Sequence, residues 1–157
     1  MENRKKRVKK EKSAGAVIFR KEGGKIYYLL LNYGKGYWGF AKGRIEKGEK
    51  EKDAAKREIA EETGIYNIRF VSNFRKKINY FFKRKNTGNF YLIVKEAVFY
   101  LAETKEKEVK ISFEHKDFAW LKYKEALKRI TFENSKNVLR GANKFLFKNK
   151  KLYDRKS

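Results

Sequence analysis

GRIEKGEKEKDAAKREIAEETGI, the stretch from Gly43 to Ile65, decides how this chain reads. Between Lys50 and Thr63 it is rich in helix formers. It stops at Gly64, where glycine supplies the left-handed residue that closes a helix, and Ile65 follows as the apolar partner of such a cap. Glu58, Glu61 and Glu62 fall at i, i+3 and i+4, so a helix places three carboxylates on one face. Like charges at those spacings cost a few tenths of a kcal/mol per pair, and a divalent cation among them is the simplest remedy. Oxygen ligands, with no cysteine in the chain and no histidine in the stretch, favour a hard ion, Mg²⁺ or Mn²⁺, over Zn²⁺. On the other face Ala54, Ala55 and Ile59 offer small apolar side chains for packing on a sheet. Three glutamates alone do not decide the matter, because Glu-rich helices with interspersed lysines are common on protein surfaces.

Outward from this helix, most of the chain reads as strand. Ala14 to Arg20 (AGAVIFR) and Ile26 to Tyr33 (IYYLLLNY) are continuous runs of β-branched, aliphatic and aromatic residues with Glu22, Gly23 and Gly24 between them, which predicts a buried strand pair joined by a turn. Further strands are expected at 68–74 (IRFVSNF), 77–82 (KINYFF), 91–102 (YLIVKEAVFYLA) and 117–121 (DFAWL). Tyr123 to Ile130 and Asn134 to Phe147 repeat apolar residues at helical spacing and read as scaffold helices packing on the sheet. Without an internal repeat, the expected architecture is an α/β domain over residues 13–148, one mixed sheet between helices. Residues 1–12 carry seven Lys or Arg against two acids without apolar periodicity and read as a basic arm. Residues 149–157 read as a second charged tail.

Lys and Arg number 42 against 19 Asp and Glu, a formal net charge of +23. Such a surface concentrates polyanions, although lysine-rich composition also arises without a bound nucleic acid. Charged residues interrupt every apolar run, so no membrane span or secretory leader is expected. A cysteine-free chain suits a reducing cytoplasm.

The whole stretch resembles the Nudix signature, G-x5-E-x7-R-E-U-x-E-E-x-G-U with U aliphatic, at every specified position: Gly43, Glu49, Arg57, Glu58, Ile59, Glu61, Glu62, Gly64 and Ile65. The resemblance implies a Nudix fold, an α/β/α sandwich whose loop-helix-loop binds divalent cations around a pyrophosphate. Position by position it implies Glu58 and Glu62 as metal ligands, Glu61 as a further ligand or water-orienting group, and the Gly43 carbonyl as a backbone ligand. Arg57 and Glu49 are implied as a pair that orients the catalytic glutamates.

Softer likeness over Ser13 to Phe147 points to the asymmetrical diadenosine tetraphosphate hydrolases, through SAGAVIFR (13–20), LLLNY (29–33), YWGFAKG (37–43), INYFFKRK (78–85), EHKDFAWL (114–121) and TFENSK (131–136). It implies Glu114 as an extra metal-site glutamate. Because aromatic faces stack on bases, Tyr80 and Phe132 are the best matches for adenine stacking, and Lys42, Lys77 and Lys83, as flexible point charges, are expected as phosphate contacts. His115 reads as a structural or rim residue, and Trp38 and Trp120 as core. Ala41 stands where the family commonly has Pro, which should loosen the loop before Gly43. Arg44 stands where these hydrolases often have His, and adds a permanent charge for phosphate. The implied reaction is metal-dependent hydrolysis of diadenosine tetraphosphate to ATP and AMP. Two alternatives stand beside it: pyrophosphate removal from RNA 5′ ends, with RNA contact through the basic surface and arm, and a noncatalytic RNA-binding module. No protein partner is implied.

Overall fold

A computed structural model describes residues 8–86 and 88–149. Eight strands and three helices follow in the order β1 (Val8–Glu22), β2 (Lys25–Asn32), β3 (Trp38–Gly39), β4 (Ala41–Arg44), α1 (Glu51–Thr63), β5 (Arg69–Phe70), β6 (Lys76–Asn86), β7 (Asn89–Glu103), β8 (Asp117–Leu121), α2 (Tyr123–Arg129) and α3 (Glu133–Lys148). All the strands join one mixed sheet. Its backbone order is β3-β2-β1-β7-β5, while β4 pairs with β1, β6 with β7 and β8 with β2. The β1–β7 pair is parallel and the others antiparallel.

Alternation along β1 builds the two cores. Ala14, Ala16 and Ile18 face α1 and pack with Ala54, Ala55, Ile59 and Val98. Val17 and Phe19 face the opposite way, into Phe99, Leu101, Val138, Leu139, Ala142 and Leu146, the layer covered by α2 and α3. A strand covered on both faces needs apolar residues at every position, which is why AGAVIF runs without a polar break. The α/β/α sandwich follows, with α1 the one helix on its side among the described residues.

Helix α1 opens without a side-chain cap at Lys50, and Glu51 and Asp53 sit in its first turn, where carboxylates oppose the positive end of the helix dipole. Gly64 closes it at φ 71°, donating its N–H to the Ala60 carbonyl. Arg75 grips Glu51 through two bonds of 2.9 Å, fixing the start of the helix against the sheet.

Several sequence expectations change. The strand expected over 68–74 contracts to Arg69–Phe70, because the chain turns at Ser72 and at Asn73, whose φ is 69°. Strands β6 and β7 run longer than expected, to Asn86 and from Asn89, and form one hairpin around Gly88 (φ 81°). The short strands β3 and β4 carried no signal. Thus Ala41, expected in a loosened loop, is buried in β4 opposite Ala16. Part of the basic arm is also strand: Val8 to Lys12 pair in parallel with Leu92 to Glu96. Backbone bonds hold that segment, helped by Glu11 with Arg44 at 2.9 Å and Lys12 with Glu96 at 3.6 Å, so apolar periodicity gave no warning of it. Residues 1–7 of the arm and 150–157 of the tail lie outside the described residues.

Candidate active site

Helix α1 meets β4 through glycine. Strand β4 runs antiparallel to β1, with Gly43 opposite Ala14 and Lys42 opposite Gly15. A Cβ on Gly43 would lie 1.9 Å from the carboxyl carbon of Glu58, so only glycine lets that carboxylate press against the β4 backbone. Burial raises the Glu58 pKa above the ordinary carboxylate value. The hydrogen bond from Arg57 opposes the rise, and the charges of Glu62 and then Glu61 add to it. A carboxylate so placed gains from any neighbouring cation.

Arg57 supplies positive charge in this structure. Its Nε donates to Glu49 Oε2 at 2.8 Å and its Nη2 to Glu49 Oε1 at 3.0 Å, a two-pronged pair. Nη1 donates to Glu58 at 2.8 Å and reaches Glu61 at 3.3 Å, while Nη2 also bonds the Arg44 carbonyl at 2.9 Å. One guanidinium therefore ties the loop after β4 to two of the three helix glutamates. The Glu49 pKa falls to about 2, mainly through the bonds from Arg57 and then the Glu46 N–H. Because the folded value lies below the ordinary 4.5, the pair stabilises the fold above pH 4.5, and that contribution fades as pH drops towards 2. A carbon-13 titration of the Glu49 carboxyl should accordingly give a midpoint near 2 in the wild type. In Arg57→Ala it should return towards the ordinary range, and an unmoved midpoint would exclude Arg57 as the cause.

Glu62 turns away from Arg57. It is 5% exposed; Oε1 accepts the Lys42 N–H at 3.0 Å, and Oε2 lies 2.7 Å from His115 Nε2. That approach lacks hydrogen-bond alignment, leaving Nε2 without a hydrogen-bonded partner. The other ring nitrogen meets Ser112 Oγ at 3.1 Å, and the imidazole edge packs on Tyr33 with centroids 4.7 Å apart. His115, read from sequence as a structural or rim residue, is buried and touches a helix glutamate. Glu114, beside it in the loop before β8, is exposed, and its charge is felt at Tyr33. Among the described residues no three His, Asp or Glu side chains converge as a preassembled metal cage. The carboxylates instead divide between Arg57 and the Lys42–His115 side.

A pocket of about 640 Å³ opens on the opposite face of the sheet, lined among others by Tyr33, Tyr37, Trp38, Lys42, Tyr80 and Phe132. Lys42 Nζ donates to the Tyr80 hydroxyl at 2.5 Å, joining the pocket to the strand that touches Glu62. Tyr37 and Phe132 pack at 5.4 Å on its rim. Tyr33 donates its hydroxyl hydrogen to the Phe40 carbonyl. Loss of solvent, followed by the charge of Glu62, pushes its pKa well up, so it stays a neutral donor. Within LLLNY nothing in the residue pattern marks Tyr33 for this role.

Of the six expected substrate contacts, Lys42, Tyr80 and Phe132 share this pocket. Arg44 pairs with Glu11 at 2.9 Å, Lys77 pairs with Glu96 at 3.1 Å on the α1 side, and Lys83 lines a separate shallow groove with Val8 and Phe90. Those three stand outside the pocket: Lys77 and Lys83 alternate with Tyr80 along β6 and face the other way, while Arg44, on the same face of β4 as Lys42, is held by Glu11. Trp38, expected in the core, is half-buried, stacks with Arg129 at 4.8 Å and lines the pocket. Trp120 packs on the α1-side core and donates to the Lys107 carbonyl.

A sandwich of this topology, with its glutamates on the helix after β4, is the architecture of a Nudix domain, whose family profile matches residues 9–141. The chain belongs to the Nudix family. It is 31% identical to the asymmetrical bis(5′-nucleosyl)-tetraphosphatase of Mus musculus, over 86% of this chain and 95% of that protein. It is 28% identical to an RNA pyrophosphohydrolase of Sulfurovum sp., over 69% of this chain and 73% of the other. Among solved structures, an Ap4A hydrolase of C. elegans in a binary complex superposes with a TM-score of 0.73 at 30% identity, covering 87% of this chain and 97% of that one. Nudix hydrolases generally use divalent metal ions.

Proposed function

We propose that this chain hydrolyses diadenosine tetraphosphate to ATP and AMP, using Mg²⁺ or Mn²⁺. The observation that carries this reading is the junction of two features at β4: an aromatic pocket that ends on Lys42, and carboxylates that meet the backbone of Lys42 and Gly43. A dinucleoside polyphosphate needs both, rings for a base and anchored charge for a phosphate chain. The tetraphosphatase relatives, matched along nearly their whole length, support the same substrate.

The residues present suit a hard divalent ion. Glu58 and Glu62 would hold it with the Gly43 carbonyl, and Glu61 and the exposed Glu114 are the further oxygen donors nearby. Once bound, the ion supplies positive charge for the phosphoryl oxygens and a more acidic water. Arg57, anchored on Glu49, orients Glu58 and Glu61. His115 braces Glu62 from the side away from Arg57. Tyr80 and Phe132 receive an adenine, and Lys42 places a point charge beside the oligophosphate. Tyr33, held as a neutral phenol, shields the Glu62 side of the site from bulk water.

A second reading, pyrophosphate removal from RNA 5′ ends, draws support from the +23 charge and from the Sulfurovum relative. A single assay separates them. Diadenosine tetraphosphate, nucleoside triphosphates, ADP-ribose and 5′-triphosphorylated RNA are each supplied with Mg²⁺ or Mn²⁺, and products are resolved by chromatography. The dinucleotide is expected to give the highest kcat/KM, with ATP and AMP as products. A preference for RNA, accompanied by a steep loss of rate with added salt, would replace the substrate and leave the metal chemistry intact.

A further inference from the structure

Beyond the helices, β1, β7 and β6 continue as a bare three-stranded sheet. Register defines what its α1-side face displays. Val8, Leu92 and Lys83 form one cross-strand row, Lys10, Val94 and Phe81 the next, and Lys85 lies opposite Phe90 at the hairpin end. Paired residues in register share a face, and Val98 and Ala14 place this one on the α1 side. Helix α1 packs on the sheet only from the Ala14 row onward, and no other described element covers the rest.

Exposure on this face is unusual for apolar groups: Phe81 is 65% exposed, Phe90 57%, Val8 46% and Leu92 38%. Val8, Leu92, Phe90 and Lys83 also line a shallow groove of about 340 Å³. A clustered apolar patch of this kind marks an interaction surface rather than a scatter of single exposed residues. Lysines interleave with it, and Lys85 stands 5.7 Å from the centre of the Phe90 ring. Lys10, Lys83 and Lys85 form no carboxylate pair among the described residues.

Charge selects the occupant. A second copy of the chain would bring the same lysines against these, and the chain's own residues 1–7 (MENRKKR) are themselves basic. The complementary partner is a polyanion that also carries flat rings. We propose that this face is a binding platform for single-stranded nucleic acid, with bases resting on Phe90 and Phe81 and backbone phosphates tracked by Lys10, Lys83 and Lys85. Phe81 borders the aromatic pocket next to Tyr80, but its register with Val94 sets its side chain on the α1-side face, so platform and pocket occupy opposite faces of the same strand. The proposal concerns binding and holds whichever phosphoanhydride is cleaved.

The test uses 12-nucleotide RNA and DNA strands bearing a 5′ hydroxyl, which offer no phosphoanhydride and so isolate the platform from the hydrolytic reading. Binding to the full chain is followed by fluorescence anisotropy from low to physiological salt. Phe90→Ser is expected to weaken binding by roughly fivefold to a hundredfold, the range for losing one stacked base. Lys10→Ser with Lys85→Ser should flatten the plot of log affinity against log salt by about 0.7 for each lysine removed. A preference between the two strands identifies which nucleic acid is the source. Melting curves matching wild type establish that the surface variants fold. Unchanged affinity in folded Phe90→Ser overturns the proposal. So does equal binding of duplex or of anionic phospholipid vesicles, which would reduce the face to general positive charge. Concentration-dependent dimers lost in Phe90→Ser would likewise assign the patch to self-association.

Discussion

Glu62→Gln is expected to lower kcat by about a thousandfold, a cost of roughly 4 kcal/mol in transition-state stabilisation, while leaving the fold intact. The substitution keeps the size of the side chain and an oxygen able to accept the Lys42 N–H at the 3.0 Å seen for Oε1. It also presents an amide donor towards His115 Nε2, which now lies 2.7 Å from Oε2 without an aligned bond. What it removes is one negative charge from a nearly enclosed position, where solvent does little to dilute its attraction for a cation. The two effects therefore separate cleanly. Thermal melting should sit near wild type, and kcat should collapse even at saturating Mg²⁺. Turnover within tenfold of wild type, with unchanged metal dependence, would remove Glu62 from the site. Loss of melting temperature together with activity would instead assign Glu62 a packing role.

Sequence alone gave the helix its boundaries, because apolar periodicity, repeated glutamates and Gly64 all act within a few residues of one another. It also placed the buried strands, since Ala14 to Phe19 must be apolar at each position to serve two cores. Contacts between distant residues were another matter. His115 lies far along the chain from Glu62, and nothing in EHKDFAWL states that its ring reaches the helix; only the return of the loop before β8 to β2 puts it there. Arg44 was similarly opaque: its charge suits phosphate, yet Glu11 claims it, and Glu11 stood in a segment read as a basic arm. Val8 to Lys12 belong to β1 because Leu92 to Glu96 of β7 offer them backbone partners, and backbone pairing leaves no mark in a run such as VKKEK. The same cause explains Lys77 and Lys83, whose register on β6 points them away from the pocket that Tyr80 lines.

Gly15→Ala should destabilise the protein by at least about 3 kcal/mol, the upper range for forcing an extra methyl group into a packed interior. Gly15 faces Lys42 across the β1–β4 ladder, and a Cβ built there would lie 2.0 Å from the Ala41 carbonyl oxygen and 2.8 Å from Lys42 Cα. Both are backbone atoms, so no rotamer change relieves the clash; β4 itself must move outward by more than an ångström. That movement carries Lys42 away from Glu62 and Gly43 away from Glu58, because the same short strand holds both contacts. Activity should accordingly fall further than the fraction unfolded accounts for. Urea titration of Gly15→Ala beside Gly39→Ala gives the comparison, since a Cβ on Gly39 meets only the Tyr33 ring, at 3.6 Å. Domains of this size have about 5 to 15 kcal/mol of stability in total, so the loss is readily resolved. Equal midpoints for the two variants would mean that β1 and β4 are not in such close contact in solution. The glycine would then owe nothing to the strand that joins pocket and glutamates.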